Sequence, residues 1–345
     1  MTERPQRAGA ETIPVIDVSS LVDGSDIEPV GALIDAACRR HGFFTISGHG
    51  VDPALREALE SSTREFFALD WTDKSQIAME RGGRAWRGWF GLGEELTSGV
   101  ADAKEGIYFG TELSPDDPRV TSGKLLHGPN LWPQRPSGLR PAVNDWMAAM
   151  RDLAAAIMRG ISVGLGLDAD YFKRYLTAEP TVLFRAFRYP PVPRKELTWG
   201  VGEHTDYGLL TILAQDGNGG LQVRTANGWT DVPPDPDVLV CNIGDMLDRM
   251  TGGRYRSTPH RVLSSSVRDR VSFPYFFDPG WEATVEEIPI PGDAPPDDGE
   301  GRWDGTSLRD LSGTYGEYLS AKVSKVFPTL KEEVAGRGNS QTAGQ

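Results

Sequence analysis

His204 and Asp206 stand two positions apart in Gly202-Glu203-His204-Thr205-Asp206-Tyr207-Gly208, and His260 follows in Ser257-Thr258-Pro259-His260-Arg261-Val262. On an extended strand, positions i and i+2 face the same side, so an imidazole and a carboxylate would point at one spot. Two neutral imidazoles and one carboxylate that leave adjacent coordination positions open form the facial arrangement used by non-haem Fe(II) for oxygen chemistry. His204, Asp206 and His260 are therefore the candidate catalytic and metal-ligating residues. Taken singly, His-x-Asp also arises by chance, and a lone histidine is often a satisfied core side chain.

Arg270 and Ser272 repeat the i, i+2 spacing with a different chemistry. A guanidinium grips a carboxylate through two parallel hydrogen bonds, and a neighbouring hydroxyl can add another. The pair would anchor an anionic cosubstrate. Ser272 runs into Phe273-Pro274-Tyr275-Phe276-Phe277, so the strand enters a core, where a charge needs a partner.

The elements that must position these residues are β-rich. From Val182 onward, short apolar runs (Val182 to Phe187, Leu209 to Leu213, Val238 to Ile243) are separated by Gly and Pro turns. Asn227-Gly228 between Leu221-Gln222-Val223-Arg224 and Trp229-Thr230-Asp231-Val232 predicts a hairpin. The spacing of strands suits a double-sheet barrel or jelly roll. Asp245 to Met250 reads as one helical turn and Ser312 to Val326 as a final helix able to cover the barrel. Upstream the texture is mixed: a strand at Ile13 to Val18, a helix over Val30 to Arg40, a strand at Phe43 to Ile46, a helix from Asp52-Pro53 through about Leu69, and a long helix from Pro141 through about Leu165. Gly82 to Pro136 reads as loop-rich. The expected fold class is mainly β with flanking helices around a double-stranded β-helix. Expected boundaries are 13–136 for a mixed α/β region, 137–335 for the helix and catalytic core, and 336–345 for a flexible tail; residues 1–12 also have the composition of a mobile end.

The chain has 345 residues, with 36 basic and 49 acidic side chains and a net charge of −13. An acidic surface repels nucleic acid and anionic membranes, so neither is an expected partner. Cys38 and Cys241 are the two cysteines, far apart and without metal-ligand spacing, which points to a reduced, cytoplasmic setting. No stretch approaches the roughly 18 apolar residues of a membrane span. A monomer acting on a small molecule is expected.

The order His-x-Asp, distal His, then Arg-x-Ser resembles the isopenicillin N synthase-like family of Fe(II)/2-oxoglutarate oxygenases, and the likeness covers nearly the whole chain. Ile13-Pro14-Val15-Ile16-Asp17, Gly42-Phe43-Phe44 and Gly48-His49-Gly50 are similar to that family's leading region, and Tyr189-Pro190-Pro191 to its tyrosine-proline strand end. The resemblance implies Fe(II) on His204, Asp206 and His260, and the far carboxylate of 2-oxoglutarate on Arg270 and Ser272 beside Tyr189. It implies that O2 and 2-oxoglutarate are consumed, succinate and CO2 released, and a small organic metabolite hydroxylated, desaturated or cyclised. Gly202 to Gln215, Met250-Thr251-Gly252-Gly253 and Ser257-Thr258-Pro259-His260 are similar to the bacterial ethylene-forming branch. By that local likeness Arg185 would help hold the keto-acid end and Glu95 and Thr97 would line the substrate pocket; Tyr207, directly after Asp206, would face substrate by its position. Ser272 and Tyr189 depart from that branch, which argues against ethylene formation itself.

Three other readings compete. An Fe(II) oxidase would take its electrons without 2-oxoglutarate. A zinc hydrolase on the same three ligands lacks an evident general base and leaves Arg270 and Ser272 unexplained. A silent binding barrel would not need intact ligands together with an anion clamp.

Overall fold

The computed structural model describes residues 12–97, 99–191, 198–264, 268–292, 295 and 312–326; the tail 336–345 and all of 1–12 but Thr12 lie outside them. The N-terminal elements are β1 (Val15–Asp17), α1 (Ser19–Asp23), α2 (Glu28–Arg40), β2 (Phe43–Ser47), α3 (Pro53–Phe67), α4 (Trp71–Lys74), β3 (Gly88–Phe90), β4 (Leu96–Thr97), β5 (Val100–Ala101), β6 (Glu105–Gly110) and α5 (Pro118–Thr121). Then come α6 (Leu139–Gly164), α7 (Tyr171–Tyr175), β7 (Thr181–Tyr189), β8 (Thr198–His204), β9 (Leu210–Gln215), β10 (Leu221–Thr225), β11 (Gly228–Asp231), β12 (Leu239–Ile243), α8 (Asp245–Met250), β13 (His260–Ser264), β14 (Arg270–Asp278) and α9 (Tyr315–Val326).

Among the described residues, eight strands form one sheet in the order β1-β2-β12-β9-β14-β7-β6-β3, and four form another, β11-β10-β13-β8. Their inner faces meet over Phe43, Tyr108, Phe187 and Tyr189 from the larger sheet and Val201, Val223 and Val262 from the smaller. This is the jelly-roll core expected from the strand texture. The larger sheet's outer face is covered by α6, whose Trp146, Met150, Leu153, Ile157 and Ile161 recur at helical spacing and are buried. Burying each such side chain is worth about 1.5–3 kcal/mol, so this one helix contributes much of the packing behind the site. Helix α2 crosses it closely: a Cβ on Gly164 would stand 2.5 Å from the Gly31 carbonyl oxygen.

Asp52 caps α3, its side chain accepting from the Ala54 N–H, with Pro53 in the first turn, as the sequence predicts. The segment read as loop-rich is different. It contains β3 and β6, which extend the larger sheet, and every residue of β6 is buried. Glu105 disguised that strand. Its carboxylate is neutralised by Lys74 at 2.9 Å and Arg188 at 2.6 Å and accepts from the Trp89 indole N–H, so a charged residue sits in the interior. Both cysteines are free and buried. Among the described residues no helix is long and apolar enough to cross a membrane.

Candidate active site

Strands β8 and β13 are antiparallel, and His204 and His260 are partners in their register. Their rings therefore lie side by side, with centroids 4.2 Å apart. Strand β8 ends at His204, so Asp206 does not share a strand face with it; the chain turns instead, and the carboxylate swings back between the rings. His204 Nε2 and His260 Nε2 stand 3.9 and 3.8 Å from Asp206 Oδ1. Ligand atoms of the three residues all lie within 4.8 Å of one another.

The surroundings fix each donor. His204 Nδ1 pairs with the Gly202 carbonyl at 2.8 Å and His260 Nδ1 with the Thr258 carbonyl at 3.2 Å, which leaves both Nε2 atoms turned inward. Asp206 Oδ2 accepts from Thr211 Oγ1 at 2.6 Å and Asn242 Nδ2 at 2.7 Å, so Oδ1 faces the imidazoles. Burial works against the Asp206 charge, but His260, His204, Asn242 and Thr211 together hold its pKa below the ordinary value. Burial, then the neighbouring His204, brings His260 down to about 4, which keeps it neutral and able to donate a lone pair. This donor set fits a divalent iron. The turn around Asp206 depends on Gly208, where a Cβ would collide with the Asp278 carboxylate, 1.5 Å from Oδ1.

A cavity of about 470 Å3 opens over the three residues. At one end, Arg270 on β14 is the register partner of Tyr189 on β7 and lies over its ring at 4.6 Å. Ser272 shares Arg270's face, as the spacing predicts, and its hydroxyl lies 3.3 Å from the Tyr189 hydroxyl. Arg270 is 2% exposed, yet only Nη2 is hydrogen-bonded, to Gln215 Oε1 at 3.2 Å, while Nε and Nη1 have no partner. A buried cation with open donors needs an anion. That fits the far carboxylate of 2-oxoglutarate.

Glu95, Thr97, Tyr207 and Arg185 also line the cavity. Arg185 stacks on Tyr108 at 3.4 Å, and burial lowers its pKa. Tyr108 donates its hydroxyl to Glu95 Oε1. Thr97 is committed to Asp102, its Oγ1 donating to Oδ2 at 2.6 Å. Tyr207 packs beneath Lys322 of α9, and burial pushes its hydroxyl pKa up. Two residues the sequence reading passed over belong here. Lys104 is fully buried between Asp102 at 2.5 Å and Glu95 at 3.0 Å, and burial lowers its pKa less than the two acids raise it. Asp102 in turn accepts the Gly202 N–H, two residues from His204, at 3.2 Å. The signal was the alternation Asp102-x-Lys104 next to a strand, which has no specificity in sequence alone.

Residues 178–279 match the family model described as 2OG-Fe(II) oxygenase superfamily, and residues 13–135 match the one described as non-haem dioxygenase in morphine synthesis N-terminal. A probable iron/ascorbate oxidoreductase of Dictyostelium discoideum is 43% identical over 97% of this chain and 100% of its own length. The chain belongs to the 2OG-Fe(II) oxygenase superfamily. Within that superfamily it is also similar to the homoarginine-6-hydroxylase 2-ODD-C23 of Glycine max, 37% identical over 92% of this chain and 98% of that one. A 1-aminocyclopropane-1-carboxylate oxidase of Dictyostelium mucoroides is 35% identical over 92% and 96%. Among solved structures, a full-length Neurospora crassa protein crystallised in complex with alpha-KG matches with a TM-score of 0.77 and 26% identity, covering 95% of this chain and 100% of that one. The oxygenase is a non-haem dioxygenase that uses Fe(II), 2-oxoglutarate and O2 and acts on a small molecule.

Proposed function

We propose that His204, Asp206 and His260 hold the Fe(II), that Arg270, Ser272 and Tyr189 hold the far carboxylate of 2-oxoglutarate, and that the substrate is a small metabolite with an amine or guanidine end, hydroxylated at a C–H bond. The observation that carries the first two assignments is the pairing of an inward-facing His-Asp-His set with a buried guanidinium that has two open donors in the same cavity. Bound iron supplies the activation of O2 that couples decarboxylation of 2-oxoglutarate to substrate oxidation. The side chains do the rest. Arg270 and Ser272 fix the far end of the keto acid, and the ring of Tyr189 limits its swing. Arg185, four residues back along β7, is assigned to the border between the keto-acid end and the substrate. The apolar walls Phe187, Leu213 and Val262 exclude water from the reacting centre.

The substrate class rests on Glu95. Its Oε1 accepts from Tyr108, whereas Oε2 is buried without a hydrogen bond, lying 3.0 Å from Lys104 Nζ but off the hydrogen-bonding direction. A second cationic or N–H donor fits there, and relatives from Glycine max, rice and Arabidopsis thaliana are named homoarginine-6-hydroxylases. The test begins with anaerobic protein, Fe(II) and 2-oxoglutarate, read by the weak visible charge-transfer band of a chelated keto acid. Succinate release is then measured with L-homoarginine, L-arginine and L-lysine. A band and homoarginine-stimulated succinate support both parts; a band with no response to any of the three overturns the substrate class alone.

A further inference from the structure

Arg270 faces two cavities. The second, of about 250 Å3, lies beyond the clamp and shares Tyr189 and Arg270 with the first; Gly219, Gly220, Ser264 and Arg268 complete much of its wall. Of its described lining, Arg270 carries the buried charge. Ser264, at the end of β13, is 4% exposed, and its Oγ has no hydrogen-bond partner. Gly200 leaves that hydroxyl its room, since a Cβ there would stand 2.6 Å from Ser264 Oγ.

The shape of a guanidinium makes the second cavity more than spare volume. Its donors are fixed in a plane, with Nε and Nη2 along one gripping edge and Nη1 and Nη2 along the other. One carboxylate engages one edge. The far carboxylate of 2-oxoglutarate therefore reaches Nε or Nη1 of Arg270 but not both, and the remaining nitrogen stays bare on a buried cation, an expensive state.

We propose that the second cavity is a binding site for a small monovalent anion, a halide or a short carboxylate, held by the remaining donor of Arg270 and by Ser264 Oγ–H with Arg268 at its rim. The anion completes the shell of the clamp arginine from behind and holds its plane in place for the keto acid. This rests on Arg270 being the clamp.

The test uses metal-free, full-length protein titrated with sodium bromide at constant ionic strength set by sodium HEPES, read by melting temperature, with crystals soaked in bromide for anomalous diffraction. The expected result is a saturable rise in melting temperature, an affinity about tenfold weaker in Ser264→Ala, from loss of one hydrogen bond to an ion, and no saturable rise in Ser264→Leu, which fills the cavity. The bromide peak should lie within hydrogen-bond distance of Arg270 and Ser264 and persist with saturating 2-oxoglutarate. A rise that does not saturate, a peak elsewhere, or equal behaviour in wild type and Ser264→Ala means water or an adventitious ion only, and overturns the site. Complete competition by 2-oxoglutarate also overturns it, because the two cavities would then serve one ligand. Should Ser264→Leu fail to fold, Ser264→Ala and the diffraction peak decide. Failure of the clamp itself shows separately, as an absent charge-transfer band in iron-loaded protein.

Discussion

Asn242 on β12 donates its side-chain N–H to Asp206 Oδ2 at 2.7 Å, tying the turn after β8 to the middle of the larger sheet. With Thr211 on the same oxygen, it decides which lobe of the carboxylate faces His204 and His260. Partners of this kind typically account for 10- to 100-fold in metal affinity. Asn242→Leu should weaken Fe(II) binding by roughly that factor while the fold persists, as read by competition with a metallochromic chelator. Unchanged affinity would mean that Asp206 is oriented by Thr211 alone.

Arg270→Leu removes the buried cation that awaits an anion. The dissociation constant for 2-oxoglutarate should rise on the order of 100-fold, since losing one partner of a buried charge pair costs a few kcal/mol. Fe(II) affinity should stay close to wild type. Titrating the charge-transfer band measures the first and chelator competition the second, and a parallel loss of both would show that the substitution disturbs the metal site rather than the clamp.

Glu95→Gln keeps the size of the side chain and removes its charge. If Glu95 receives the cationic end of the substrate, KM for L-homoarginine should rise about 10- to 100-fold, with the keto-acid band unaltered. Should KM hold steady while the band shifts, Glu95 would belong to the cosubstrate end of the cavity.

Asp278 accepts the Leu209 N–H at 3.0 Å and the Tyr315 hydroxyl at 2.6 Å. Burial, more than these bonds can offset, pushes its pKa up to about 7 from 3.8. The folded chain then holds a proton that the unfolded chain releases, so this contribution to stability is full below about pH 4 and lost as pH rises to about 7, with a slope of at most about 1.4 kcal/mol per pH unit. Relative to wild type, Asp278→Asn should gain in melting temperature between pH 5 and 7.5 and level off above. A difference that does not vary with pH would place the proton elsewhere.

That His204, Asp206 and His260 would converge, and that Arg270 and Ser272 would share a face, was legible because such chemistry is rare in combination and because strand periodicity predicts which side chains share a face. Asp206 shows the limit of that rule. It reaches the imidazoles through a turn that Gly208 permits, not through strand alternation. Lys104 and Asp102 were illegible for a deeper reason: a buried lysine looks like a surface lysine until its two carboxylates are seen around it. Strand β6 was hidden likewise, by a glutamate whose charge is cancelled by residues distant in the chain. Long-range charge pairing leaves no local period to read.

Helix α9 comes after every strand among the described residues, yet Leu319, Lys322 and Val323 form part of the cavity wall, and Tyr315 and Lys322 fasten the helix to Asp278 and Asp245. As a ribosome delivers the chain from its N-terminus, the three proposed metal ligands can be in place before the wall beside them has been made. For that interval the nascent protein is an open bowl. Iron captured then would meet solvent and bystander molecules on the side that α9 later closes, so the timing of metal loading relative to the docking of α9 bears on whether the newly made enzyme damages itself.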